Sequence, residues 1–254
     1  MLDIDTDALA TDSDSSVPDV RLDVRGAVKR FAGVAALDGV DLRLADGEVL
    51  GLIGPNGSGK TTLMNCISGV HRLSGGSIVL EGQDVTGASS KVRARSGLGR
   101  TFQNLKLFAE LTVWENVRVG ENASSKRGSL AHLKELLDLL TLAEVSREVV
   151  KSLPYGYQRR VELARALAGR PRVLLLDEPA AGLNDDETQT LRELILRIRA
   201  DLDCSVILID HDMELVTTIS DRIQVLDEGK TLFEGSPRDA FQQKDVVDAY
   251  LGAS

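Results

Sequence analysis

The chain has 254 residues, 43% of them hydrophobic and 27% charged, which is enough to bury a core without disulfide staples. No window reaches the roughly 18–20 consecutive apolar residues of a spanning helix, and the N-terminus lacks the basic and apolar regions of a signal peptide. Asp3, Asp5, Asp7, Asp12, Asp14 and Asp19 supply six of the nine net negative charges, so residues 1–19 read as a disordered acidic tail on a nearly neutral domain spanning 20–253, with no basic stripe for nucleic acid.

Two cysteines, Cys66 and Cys204, are too few and too far apart for a disulfide framework or a zinc site, and both sit in apolar contexts that suit buried free thiols. His71, His132 and His211 show no metal-ligand spacing.

In chain order, Val20 to Leu44 alternates apolar and polar residues, the pattern of a half-buried antiparallel strand region. Ala45-Asp46-Gly47 reads as a turn and Glu48 to Ile53 as a buried strand. A helix is expected from about Lys60 to Gly69, then a turn at Ser74-Gly75-Gly76 and a strand over Ser77 to Leu80. Residues from about 86 to 170 read as mostly helical, with Leu130, Leu133, Leu136, Leu137 and Leu140 on one face. Strands are expected at 173–176, 205–209, 222–226 and 231–234, with helices at about 185–202 and 213–219. Leu191, Leu194, Ile195 and Ile198 should face inward from the longer of these two helices. The pattern implies an α/β core with a mostly parallel sheet, an antiparallel β edge subdomain and an inserted helical subdomain at about 86–170.

The phosphate signal is the strongest. Gly54, Pro55, Asn56, Gly57, Ser58, Gly59, Lys60 and Thr61, with Thr62 behind them, fit G-x-x-x-x-G-K-[ST] without a mismatch. Such a loop lets successive N–H groups face a phosphate, and the helix behind it adds its positive end. Lys60 is placed to reach the β- and γ-phosphates and Thr61 to ligate Mg²⁺ through a hard oxygen. Asp177, at the end of the apolar run Val173 to Leu176, is placed to hold Mg²⁺, and Glu178 to polarise an attacking water.

Further segments say which kind of nucleotide hydrolase this is. They are Arg100-Thr101-Phe102-Gln103-Asn104, Leu153 to Arg160 (LPYGYQRR), Ala181 to Asn184 and His211. In this order the set resembles the ATP-binding subunits of ABC transporters, over about residues 20–253. The resemblance implies a P-loop ATPase fold, ATP and Mg²⁺ as ligands, and roles residue by residue. Phe31 would stack on adenine. Gln103 would sense Mg²⁺ and link to the transmembrane partner. The segment from Leu153 to Tyr157, with Tyr155 and Gly156, would grip ATP bound to the opposite subunit. Ala181 to Asn184 would cross the dimer interface, and His211 would contact the γ-phosphate. Lys60, Gln103, Glu178 and His211 are thus the catalytic set, and Thr61, Gln103 and Asp177 the metal set.

Two departures stand out: the usual Leu-Ser-Gly-Gly-Gln signature reads Leu153-Pro154-Tyr155-Gly156-Tyr157, and Asn184 replaces a common Asp. These forms, with the ending Ala249-Tyr250-Leu251-Gly252, look like the LivG-type subgroup of branched-chain amino acid importers. The stretch between Asn116 and Leu153 is shorter than is often found there. The resemblance implies a dimer with an identical or paralogous ATPase subunit, transmembrane permeases, an indirect link to a substrate-binding protein, and residence on the cytoplasmic face of the membrane. The alternatives are the ATPase of a lipopolysaccharide-type exporter or of an importer of another small solute such as urea or amides. A soluble ABC protein acting on ribosomes or DNA is disfavoured by the absence of a second cassette, and a GTPase by the absence of an Asn-Lys-x-Asp motif.

Overall fold

The computed structural model describes residues 19–122 and 129–251. The proposed acidic tail lies outside them apart from Asp19, whose carbonyl accepts the Asp46 N–H at 2.7 Å. That bond ties Asp19 to the fold rather than to the tail.

The alternating segment forms a hairpin of β1 (Val20–Phe31) and β2 (Val34–Ala45). The chain continues through β3 (Val49–Ile53), α1 (Lys60–Ile67), β4 (Gly75–Leu80), β5 (Gln83–Asp84), α2 (Ser90–Arg95) and β6 (Leu98–Arg100). Helices α3 (Val113–Glu121), α4 (Leu130–Leu139) and α5 (Tyr155–Leu167) follow, with a 3₁₀ turn at Val150–Ser152. The last part is β7 (Val173–Asp177), α6 (Asp185–Leu202), β8 (Ser205–Ile209), α7 (Met213–Ile219), β9 (Arg222–Asp227), β10 (Lys230–Gly235), α8 (Pro237–Ala240) and α9 (Lys244–Leu251).

Among the described residues, two sheets form. One has the order β10-β9-β3-β8-β7-β6, with β9, β3, β8, β7 and β6 mutually parallel and β10 antiparallel at the edge. The other is antiparallel, with the order β2-β1-β4-β5. Strands β3, β7 and β8 are buried along their whole length, as a parallel sheet covered on both faces requires. Leu174, Leu176 and Val206 face the helical side, whereas Val173, Leu175 and Ile207 face the antiparallel sheet. The loops after β3 and β7 leave from the same carboxyl end, where ligands of open α/β sheets sit.

Helix α6 occupies the expected residues for visible reasons. Asn184 accepts the Glu187 N–H at 3.0 Å while the Glu187 carboxylate accepts the Asn184 N–H at 3.1 Å, and Asp185 and Asp186 stand in the first turn. Its inward face buries Leu191, Leu194, Ile195 and Ile198 as expected.

Several expectations change. The stretch from about 86 to 170, read as mostly helical, also contains β6, which is the edge strand of the larger sheet and pairs with β7. Gly75 and Gly76 belong to β4 rather than to a turn before it. The first helix stops at Ile67, because Ser68 caps it and Gly69 takes φ +74°. Leu130 is 60% exposed, while Leu133, Leu136, Leu137 and Leu140 are buried. Leu130 sits at the first position of α4, where the stripe has not yet reached the core.

Cys66 and Cys204 are buried free thiols, and burial pushes Cys204 up to about 12. Among the described residues, no helix is long and apolar enough to cross a membrane.

Candidate active site

The phosphate loop runs from Gly54 into α1. Gly59 precedes the helix with φ +107°, and a Cβ there would lie 2.7 Å from the Ala36 carbonyl oxygen. Only glycine meets both conditions without strain. The first-turn N–H groups of α1 have no intrahelical acceptor and so present donors, with the positive end of the helix dipole, to an anion. The loop is braced by Ser58 N–H on the Pro55 carbonyl (3.2 Å) and Gly229 N–H on the Ser58 carbonyl (3.0 Å). Asn56 and Gly57 form its exposed crest. Lys60 folds back so that Nζ donates to the carbonyls of Gly54 (2.7 Å) and Pro55 (2.9 Å). Burial lowers the Lys60 pKa, and the carboxylates of Glu178 and Asp177 oppose that shift. Thr61 is exposed and Thr62 half-buried on α1.

The end of β7 supplies the carboxylates. Asp177 is buried; burial raises its pKa, and the adjacent Arg100 guanidinium, 2.9 Å away, opposes the rise. Glu178 follows with φ +49°, a left-handed conformation that costs a non-glycine residue about 1–3 kcal/mol. Its N–H donates to the Ile209 carbonyl at 2.7 Å. The turn aims the carboxylate at two partners: Gln103 Nε2 donates to Oε2 at 2.8 Å, and His211 Nε2 lies 3.2 Å from Oε1. Gln103, Glu178 and His211, separated by 75 and 33 residues in sequence, therefore meet.

Other residues hold this cluster through contacts that the sequence pattern does not show. Asp210 accepts N–H groups from Ala180 and Asp212, both at 2.9 Å, so one carboxylate clamps the loop after Glu178 to the loop bearing His211. Burial raises the pKa of Asp210, and these N–H donors counter the rise. Arg159 on α5 donates to the carbonyls of Phe102 (3.2 Å) and Gln103 (2.9 Å) and pairs with Glu162 at 3.3 Å. The Gln103 segment is thus fastened to the signature helix.

Four candidates are held by other partners. Phe31 is 42% exposed, meets His71 edge-on at 5.3 Å, and carries Lys29 Nζ 4.8 Å from its centroid. Tyr155 packs beneath Arg159 at 5.3 Å. Gly156 is buried where a Cβ would lie 2.9 Å from Glu187 Cδ, so its bareness answers a close approach within this chain. Asn184 is spent on capping α6. Pro154 caps α5 with φ −54° and no side-chain bond, leaving the first-turn N–H groups at Tyr155 and Gly156 without intrahelical acceptors.

The oxygens of Thr61, Gln103 and Asp177 are hard donors of the type Mg²⁺ prefers. Among the described residues there is no group of three or more His, Cys, Asp or Glu that could hold a metal ion.

Comparison with known proteins agrees with this geometry. Residues 37–181 match the family model described as ABC transporter. The chain is 41% identical over 248 residues to the high-affinity branched-chain amino acid transport ATP-binding protein LivG of Escherichia coli K12, covering 91% of this chain and 97% of that one. It is 40% identical, with the same coverage, to the corresponding protein BraF of Pseudomonas aeruginosa. A crystal structure of an ATP-binding cassette of an ABC transporter in its ADP conformation superposes with a TM-score of 0.82 at 28% identity, covering 92% of this chain and 99% of that one. A phosphate loop at one strand end, a carboxylate pair at another and a match over most of the chain agree on one conclusion: this protein belongs to the ABC transporter family, as one of its ATP-binding cassettes.

Proposed function

We propose that this chain is the ATP-hydrolysing subunit that drives import of branched-chain or other hydrophobic amino acids. The observation that carries the hydrolytic reading is the meeting of Gln103, Glu178 and His211 beside Lys60 and Asp177. Glu178, held on both oxygens, takes the proton of the attacking water. Lys60 leaves the loop carbonyls to pair with the β- and γ-phosphates. Gln103 presents its nitrogen to Glu178 and so leaves its oxygen for the cation. Thr61 and Asp177 complete the protein's share of the metal shell. Mg²⁺, when bound, neutralises charge on the phosphates during transfer. His211 meets the γ-phosphate, and Phe31 offers its exposed face to the adenine.

Two copies of the cassette, or this one and a paralogue, complete each site. The N–H groups at Tyr155 and Gly156 reach the phosphate bound to the partner. The permeases dock beside Gln103, in the groove lined by Val70, Phe102, Phe108 and Arg165; the cassette works on the cytoplasmic face of the membrane, and a substrate-binding protein acts across it. The amino acid assignment rests on the LivG and BraF likeness.

Turnover per subunit should rise with protein concentration, because a lone subunit lacks the trans donors. Turnover that stays constant per subunit down to dilute monomer removes the dimeric mechanism. Lys60→Ala should abolish measurable ATP binding, since a charge at the phosphates is lost. An unchanged nucleotide affinity removes Lys60 from the site. Cells lacking the chain should lose saturable leucine, isoleucine and valine uptake at low concentration, and unaffected uptake removes the substrate assignment.

A further inference from the structure

Arg100 is not explained by any role given so far. It closes the edge strand β6, and its side chain is 7% exposed. On one side Nη2 donates to Asp177 Oδ2 at 2.9 Å. On the other, Nη1 donates to the Met64 carbonyl (3.2 Å), Asn65 Oδ1 (2.8 Å) and Ser68 Oγ (2.6 Å). Those three acceptors stand at the C-terminal end of α1, the helix whose other end is the phosphate loop. The Phe102 ring lies 4.8 Å from the guanidinium carbon and covers its flank.

The arrangement suits arginine alone. A planar fork with donors on two nitrogens spans a carboxylate and three oxygens at once, whereas an ammonium on a flexible stem cannot hold both sides. The buried Nε–H has no hydrogen-bond partner. The guanidinium thus leaves its Nε–H unsatisfied while both terminal nitrogens are committed to Asp177 and α1. A residue needed only to fasten β6 to α1 would be served by the three α1 acceptors and would have no use for the Asp177 contact.

We propose that Arg100 is a positioning residue: it fixes the rotation of the Asp177 carboxylate relative to the phosphate-loop helix, so that Asp177 meets Mg²⁺ in one orientation. The proposal rests on the assignment of Asp177 to the metal. Ligating carboxylates are oriented by outer partners in this manner, and loss of such a partner costs about 10–100-fold in metal affinity.

The test is equilibrium binding of a fluorescent ATP analogue to the purified chain, in EDTA and over a range of free Mg²⁺. Arg100→Met should leave affinity in EDTA unchanged and raise the Mg²⁺ concentration for half-maximal effect by about tenfold or more. Arg100→Lys should fall between it and the native chain. Asp177→Asn tests the underlying assignment separately. If Asp177→Asn leaves the Mg²⁺ dependence intact, Asp177 is not a metal residue and the proposal falls with that assignment. If Asp177→Asn shifts the dependence and Arg100→Met does not, the positioning role alone is overturned. An equal loss of affinity in EDTA and in Mg²⁺ also overturns it, because that is the mark of a structural residue. Should Arg100→Met not fold, Asn65→Ala decides: removing one of the acceptors that aim the guanidinium should shift the Mg²⁺ dependence in the same direction, and no shift overturns the proposal.

Discussion

Glu178→Gln is expected to lower ATP turnover by about 10²–10⁴-fold while leaving ATP affinity intact. The amide keeps the size of the carboxylate, so the left-handed turn at residue 178 and its bond to Ile209 need not change. Gln103 Nε2, which donates at 2.8 Å, can still donate to an amide oxygen, though more weakly than to a carboxylate. What disappears is the negative oxygen that takes a proton from water. Because binding survives and hydrolysis does not, the variant should accumulate as an ATP-loaded dimer, visible by sedimentation. Turnover near the native rate would remove Glu178 from the base role.

Gly156→Asp should abolish hydrolysis and also lower the melting temperature, while ATP still binds the phosphate loop of the same subunit. The family resemblance puts Gly156 in the segment that grips the partner's ATP, where a backbone approaching phosphate has no room for a Cβ. The structure adds a neighbour inside the chain, since the new Cβ would lie 2.9 Å from Glu187 Cδ. If Glu187 retreats, its carboxylate gives up the Asn184 N–H and opens the cap of α6. An aspartate therefore sets two carboxylates against each other and strains a cap whose loss costs about 0.5–2 kcal/mol. Rate, nucleotide affinity and melting temperature, measured together, separate the two causes. Pro154→Ser, which restores a hydroxyl at the N-cap of α5 without touching Glu187, should leave the melting temperature unchanged or raised. Native turnover in Gly156→Asp would show that this segment does not serve the partner's ATP.

The parts legible in sequence share one property: their signal is local. The loop from Gly54 to Thr61 is contiguous, and the all-apolar runs of β7 and β8 are long enough to read as buried strands. The apolar spacing of Leu191, Leu194, Ile195 and Ile198 marks α6 in the same local way. Strand β6 has only three residues and therefore no period to detect. The contacts of Arg100, Arg159 and Asp210 were missed because they depend on partners far along the chain. Arg100 meets Asp177 across 77 residues, Arg159 reaches Phe102 across 57, and Asp210 reaches Ala180 across 30. The turn at Glu178 was also invisible, because a left-handed glutamate has no compositional mark. Nor does the pattern tell that Gly156 and Asn184 serve their own chain as well as any partner.

The burial of both native sulfurs has a practical consequence. Burial pushes Cys204 up to about 12 and raises Cys66 as well, so neither carries appreciable thiolate at neutral pH, and both are shielded from reagents. The folded chain is therefore silent to maleimides and alkylating agents without any cysteine being removed. A cysteine placed at Val34, which is 72% exposed on the β1–β2 hairpin, would be the only fast-reacting thiol. Modification of the native sulfurs would then report opening of the folded core rather than events at the surface.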